Sequence, residues 1–123
     1  MTSDAELSSH PVTERATPDP FVVWVSGDMD MEHAAGLRSS LLTSVGRAPR
    51  GADIILDLRN SSFCDSTGLN VLLAVRERAG ESGHRLKLAA PSHQMVRLLE
   101  ITDSIELFEL CPAVPAQAGT TRP

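Results

Sequence analysis

The stretch that decides the fold lies between residues 54 and 73 and reads IILDLRNSSFCDSTGLNVLL. Its first five residues are mostly β-branched or aliphatic, which is typical of a short buried strand. A polar loop follows, and from Leu69 onward leucines recur at spacings of three and four, the period of a helix with one apolar face. The tetrapeptide DSTG at 65–68 stands where this helix begins. The stretch therefore predicts a strand, a loop and a helix in succession.

The rest of the chain continues this alternation. Strand-like apolar runs occur at residues 21–25, 86–89 and 105–110, and the last of them alternates with glutamates as a half-exposed strand would. Helical patterns extend from about Met31 to Val45 and from Ser92, a predicted N-cap, through Leu99. The order β-α-β-α-β-α-β implies mainly parallel strands joined by helical crossovers. We therefore expect a single α/β domain, with helices packed on a small, mainly parallel or mixed sheet.

The two ends of the chain differ in composition from this body. Residues 1–20 are polar and contain three prolines, which predicts a mobile arm with at most one edge strand, near residues 7–12. The domain is expected to span residues 21–110. Residues 111–123 contain three more prolines and predict a flexible tail.

Composition excludes several classes of function. The 123 residues carry a formal net charge of −5, which disfavours nucleic-acid binding and electrostatic attachment to a membrane. No transmembrane-length apolar run and no signal peptide is recognisable, so we expect a cytoplasmic protein.

Cys64 and Cys111 are far apart, and none of the four histidines has a partner at metal-ligand spacing, so no metal site is predicted. The glycines form no phosphate-binding loop, and no cofactor is expected.

The start of the helix at residues 65–68 is the candidate site. Its free backbone N–H groups can be capped by Asp65 or by Ser66. A phosphate on Ser66 would lie where these groups and the helix dipole favour an anion, and it would add nearly two negative charges to an exposed surface. Gly68 leaves the first turn with little side-chain cover, so another molecule could approach the backbone. The same four residues could also serve only as a helix cap.

Three stretches in order resemble the STAS-domain family of anti-sigma-factor antagonists. Residues 27–30, Gly-Asp-Met-Asp, are similar to the turn after the family's first long strand. Residues 55–69 are similar to its strand and phosphorylation loop, and residues 86–102 to its last strand-helix unit. The resemblance covers about residues 21–110.

The resemblance implies a switch in protein binding and no enzymatic activity. Members of the family bind an anti-sigma factor that is also a serine kinase, and thereby release the sigma factor. The kinase uses ATP to phosphorylate the serine after the aspartate, here Ser66 and not Thr67. The modified form then dissociates, and a phosphatase restores it. The implied partner-binding residues are Asp28, Asp30, Asp65, Ser66, Thr67, Gly68 and Asn70.

This chain departs from the family pattern in three places. Asn70 replaces the small residue common after the Gly-Leu pair, which could alter the choice of partner. Pro11 interrupts the first strand, and a proline-bearing tail replaces the usual C-terminal helix. The last two departures concern the sheet edge and the helical cover of the sheet and leave the switch loop unaffected.

Other interpretations remain open. Asp28 and Asp30 could be paired catalytic or metal-binding carboxylates, or simply turn and cap residues. Cys64 could be a reactive thiol or a small buried residue, and Trp24 is expected to fill the core. The chain could instead be the STAS subunit of a larger stress-sensing or transport assembly. It could also be a small nucleotide-binding α/β protein with Ser66 as nucleophile, although no histidine is nearby in sequence.

Overall fold

The computed structural model describes residues 12–14 and 20–114. Within them are five strands, three α-helices and one 3-10 helix. The strands are β1 (Val12–Glu14), β2 (Phe21–Ser26), β3 (Ile54–Asn60), β4 (Leu86–Ala89) and β5 (Glu109–Cys111). The helices are α1 (Ala34–Arg47), α2 (Ser66–Glu81) and α3 (His93–Ile101), and the 3-10 helix is Ile105–Leu107. None of the helices in the described part is long and apolar enough to cross a membrane.

The strands form one sheet in the order β1-β2-β3-β4-β5. Strand β1 pairs antiparallel with β2, and the other three pairings are parallel. Helices α1, α2 and α3 connect the successive parallel strands, as the sequence pattern predicts, so the α/β fold is confirmed. Because carboxyl ends of parallel strands share one edge, the loops after β2, β3 and β4 lie beside one another.

The main core lies between the sheet and the helices. Alternate strand residues such as Val23, Leu56 and Leu88 meet the apolar stripes of all three helices in one buried cluster. The opposite face of the sheet carries a second, smaller cluster of Val22, Trp24, Ile55 and Ala89, against which Cys111 and Val114 pack. Trp24 is thus buried in the sheet, where the sequence analysis expected it to fill the core.

Two elements differ from the sequence-based expectation. Helix α1 begins at Ala34 and not near Met31, because the Asp30 carboxylate and carbonyl both accept the His33 N–H and hold the preceding residues in a turn. Residues 105–107 are a 3-10 helix and not a strand. The alternation of apolar residues with glutamates predicts a strand here. In the structure the chain turns at these residues, so that the Phe108 side chain is buried and the Leu107 side chain is exposed.

The chain ends are described only in part. Strand β1 begins at Val12, the last residue of the predicted edge strand, and residues 7–11 lie outside the described residues. Val114 packs on the sheet, beyond the predicted end of the domain at residue 110. Most of the predicted arm and tail is outside the described residues, and the division of the chain into three parts stays a prediction.

The first turn of α2 makes a very close approach to the loop after β2. A Cβ atom built on Gly68 would overlap with the Met29 carbonyl oxygen and would lie 2.8 Å from the carbonyl carbon. Atoms of a backbone cannot move aside as the end of a flexible side chain can, so a larger residue would push the helix from the loop. Gly80, in the last turn of the same helix, has open space around it.

An exposed ion pair stabilises the turn before α1. The His33 Nδ1 lies 2.6 Å from Asp30 Oδ1, and the hydrogen bond between them raises the pKa of His33 and lowers the pKa of Asp30. A histidine pKa that is raised on folding adds stability at pH values below its unfolded pKa, and this contribution is lost as pH rises through the folded pKa.

We expect Gly68→Ala to lower the free energy of unfolding by about 3 kcal/mol, since the added methyl group overlaps with the Met29 backbone. The matched control, Gly80→Ala, should leave stability unchanged or raise it by up to about 1 kcal/mol, because alanine favours a helix and has room there. Urea unfolding followed by circular dichroism measures both. Equal destabilisation by the two variants would contradict the close approach.

We expect the pKa of His33, measured by NMR titration, to exceed its ordinary value of 6.5. In Asp30→Asn the pKa should return toward that value, while asparagine still caps the turn. The wild-type protein should lose a small amount of stability as pH rises from 6.5 through the raised pKa, and the variant should not. An unchanged His33 pKa in the variant would exclude the ion pair.

Candidate functional site

Ser66 is the first residue of α2, at the carboxyl edge of the sheet, and it is exposed. The residue before it, Asp65, has extended backbone geometry and is the N-cap, since its Oδ1 accepts the Gly68 N–H at 3.0 Å. The sequence allowed either Asp65 or Ser66 to cap the helix, and in the structure the cap is Asp65. The Ser66 hydroxyl has no hydrogen-bond partner among the described residues. It is available to another molecule.

Asp65 also joins the helix start to the loop after β2. Its second carboxylate oxygen accepts the Met31 N–H at 3.1 Å, and its backbone N–H donates to the Met29 carbonyl at 3.1 Å. The pairing continues upstream, where Met29 donates its N–H to the Phe63 carbonyl at 2.9 Å. The loops after β2 and β3 thus form one connected surface around Ser66.

Gln94 fixes the same loop from the other side. Its side-chain amide accepts the Cys64 N–H at 2.8 Å and donates to the Cys64 carbonyl at 2.7 Å, so one side chain satisfies both backbone groups. The sequence analysis did not identify this residue. Its position two residues after Ser92, the N-cap of α3, at the same sheet edge, was the only signal that could have suggested it.

Cys64 is completely buried between these elements. Removal from water and, to a smaller extent, the neighbouring Asp65 charge raise the pKa of its thiol to about 12. A thiol that stays protonated is a poor nucleophile. Cys64 therefore serves as a small core residue at the end of the loop, the second of the two interpretations that its sequence context allowed.

The predicted site residues fall into two groups. Asp28, Ser66 and Asn70 are exposed, and Asn70 follows Ser66 by one helical turn on the same face. Asp30, Asp65 and Thr67 are partly buried, and Gly68 is buried. The space next to the Gly68 Cα is filled by the Met29 carbonyl of the same chain. The glycine therefore allows close packing of the loop after β2, and not the approach of another molecule that the sequence analysis expected.

The two segments that surround Ser66 in the loops after β2 and β3 are acidic. The segments 27–33 and 60–70 contain Asp28, Asp30, Glu32 and Asp65 and neither lysine nor arginine. Ligand atoms of Asp30, Glu32 and His33 lie within 4.8 Å of one another on the exposed turn before α1. Two of these three residues are the ion pair that stabilises this turn, so their proximity has a structural reason.

Comparison with known proteins agrees with this architecture. A family model described as "Mlab, STAS domain" matches residues 12–108. The anti-sigma-B factor antagonist of Bacillus subtilis is 33% identical over 86 residues, which cover 70% of this chain and 76% of that protein.

Solved structures extend the similarity. The crystal structure of an anti-sigma factor antagonist from Mycobacterium paratuberculosis is 28% identical, with a TM-score of 0.67 and coverage of 89% of this chain and 90% of the other. The structure of SpoIIAA in its unphosphorylated form gives a TM-score of 0.66 at 19% identity, covering 87% of this chain and 91% of that one, and shares the fold. From its fold, its family match and its curated relative, this chain belongs to the STAS-domain family.

Proposed function

We propose that this protein is an anti-sigma-factor antagonist controlled by phosphorylation of Ser66. The observation that carries the proposal is the exposed Ser66 hydroxyl, free of any partner among the described residues, on a helix start that Asp65 already caps. In its unmodified form the chain binds an anti-sigma factor that is a serine kinase, and the sigma factor is released.

The modification is a phosphoryl transfer from ATP. The Ser66 oxygen forms a bond to the γ-phosphorus, the bond between that phosphorus and the β–γ bridging oxygen breaks, ADP leaves, and the hydroxyl proton passes to solvent or to the kinase. Because the cap is formed by Asp65, no helix-stabilising hydrogen bond of Ser66 is lost in this step. The phosphate lies at the positive end of the helix dipole, so the fold tolerates it.

Release follows from charge at the docking surface. The phosphate brings roughly −1.5 to −2 charges, and a partner that covers Ser66 must remove them from water. A phosphatase resets the switch by hydrolysing the serine phosphate to serine and inorganic phosphate. Thr67, which is partly buried, is not the acceptor. Asp28, Asp30 and Asn70 complete the partner surface.

The chain itself carries no catalytic constellation within its described part. His33 is paired with Asp30, and His84 is buried against the Ala52 carbonyl. No histidine of residues 20–114 forms a hydrogen bond with Ser66, and burial raises the pKa of the Cys64 thiol to about 12, which disfavours the reactive thiolate. STAS-domain antagonists are generally not enzymes, and these features support the same assignment here.

We expect Ser66→Asp to weaken binding to the cognate kinase by at least about tenfold, or 1.4 kcal/mol, because its charge would be buried in the complex. Ser66→Ala should bind like the wild-type protein and should not be phosphorylated by kinase and ATP. Calorimetry measures the affinities and mass spectrometry the phosphate. The control Ser39→Asp places the same charge on the exposed face of α1 and should bind normally. Equal affinity of Ser66→Asp and Ser66→Ala, both folded, would exclude control by charge at Ser66.

We also expect the purified chain neither to bind ATP tightly nor to hydrolyse it, since it has no phosphate-binding glycine loop and neither lysine nor arginine in residues 27–33 and 60–70. A coupled ADP-release assay on the isolated protein tests this. ATP turnover that disappears in Ser66→Ala would overturn the assignment as a binding switch.

A further inference from the structure

Large apolar side chains are exposed at four positions of the described residues, and two of these positions are at the candidate site. Met31 is 74% exposed and Phe63 is 42% exposed. The other two are Ile101, the last residue of α3, and Leu107, in the 3-10 helix, with exposures of 73% and 44%. Methionine and aromatic residues are enriched where proteins bind one another.

Hydrogen bonds fix the backbone on which Met31 and Phe63 stand. The Met31 N–H donates to the Asp65 carboxylate at 3.1 Å, and the Phe63 carbonyl accepts the Met29 N–H at 2.9 Å. Both residues are therefore tied to the network that positions Ser66. A backbone that is ordered before binding loses less conformational entropy on association, so apolar side chains on such a backbone are suited to bind a partner.

The segments 27–33 and 60–70 around these two side chains are mainly acidic, and the basic side chain that they contain, His33, is paired with Asp30. Asp28 and Glu32 are exposed, Asp30 is partly exposed, and neither segment of the site contributes a lysine or an arginine. A complementary partner would be basic around its edge, where charges remain partly hydrated and accelerate association. The centre of the contact would be apolar and dry.

We propose that Met31 and Phe63 are the two apolar anchors of a docking surface centred on Ser66, and that its occupant is the ATP-dependent anti-sigma factor kinase. The kinase offers an apolar pocket for the anchors, bordered by basic residues that face Asp28, Asp30 and Glu32. This inference rests on the proposed function and adds the side chains that supply its affinity.

The anchors also explain how a phosphate could release a partner with a basic border. A phosphate on an exposed acidic surface would attract such a partner. In a complex that covers Met31 and Phe63, however, the phosphate would have to lose its water beside apolar side chains, and residues 27–33 and 60–70 supply neither a lysine nor an arginine to pair with it. This unfavourable loss of water from the phosphate occurs only if the contacts of Met31 and Phe63 with the partner exclude water from Ser66.

The test compares serine substitutions at the four exposed apolar positions. Met31→Ser and Phe63→Ser are paired with Ile101→Ser and Leu107→Ser, which match them in exposure. Leu107 contacts Arg76 through its carbonyl, and Arg76 is ten residues from Ser66, about 15 Å along α2. Ile101 is the last residue of α3, about 10 Å along that helix from Gln94, and the two residues line one surface pocket at its two ends. Binding is measured by calorimetry with the anti-sigma factor kinase from the same genome that binds the wild-type chain.

We expect each site variant to raise the Kd by at least about tenfold and each control variant by less than about threefold. In the double variant Met31→Ser/Phe63→Ser, the additional effect of Ser66→Asp should shrink, because the centre is no longer dry. Circular dichroism checks folding, and if Phe63→Ser unfolds, Met31→Ser alone decides.

The outcomes separate the two proposals. If wild-type protein binds and Ser66→Asp weakens binding, but Met31→Ser binds normally, the anchors are excluded and the proposed function stands. Equal losses at all four positions would also overturn the anchor assignment. If no such kinase binds the wild-type chain, the proposed function fails, and the inference fails with it.

Discussion

The arrangement of the site depends on the two hydrogen bonds that the Asp65 carboxylate accepts. One of its oxygens accepts the Gly68 N–H in the first turn of α2, and the other accepts the Met31 N–H in the loop after β2. A single side chain thus begins the helix and attaches it to a second loop. Because Asp65 accepts both hydrogen bonds, the side chain of the neighbouring Ser66 is not needed to cap the helix or to join the two loops. The residue that we propose is modified, Ser66, and the residue that caps the helix, Asp65, are adjacent and chemically distinct.

The parallel sheet makes this division possible. Its topology brings the ends of β2, β3 and β4 to one edge, so side chains far apart in sequence meet there. Asp65 holds the loop after β3 from one side, and Gln94, at the start of α3, holds it from the other through Cys64. The close contact of Gly68 with Met29 completes the assembly. With the loops held in this way, the proposed phosphate on Ser66 would act on a partner without altering the domain itself.

The sequence predicts much of this fold, because its signals are local. The order of strands and helices follows from apolar periodicity, and the predicted N-cap Ser92 indeed accepts the Met95 N–H. The position of Ser66 at a helix start follows from the DSTG tetrapeptide. Contacts between loops leave no periodic signal, which is why Gln94 and the reason for Gly68 were missed. Residues 105–107 show the converse, since alternation there arises without a strand.

The single tryptophan on the second face of the sheet gives the protein an intrinsic fluorescence signal from one known position. Trp24 is its only tryptophan, the chain has no tyrosine, and the indole is buried with its Nε1 unpaired among the described residues. Near-ultraviolet emission therefore comes from one ring in a dry environment, on the side of the sheet away from the helices. That emission reports whether the β-sheet is intact. Loss of that emission maximum on unfolding would therefore follow the sheet itself and not the loops around Ser66.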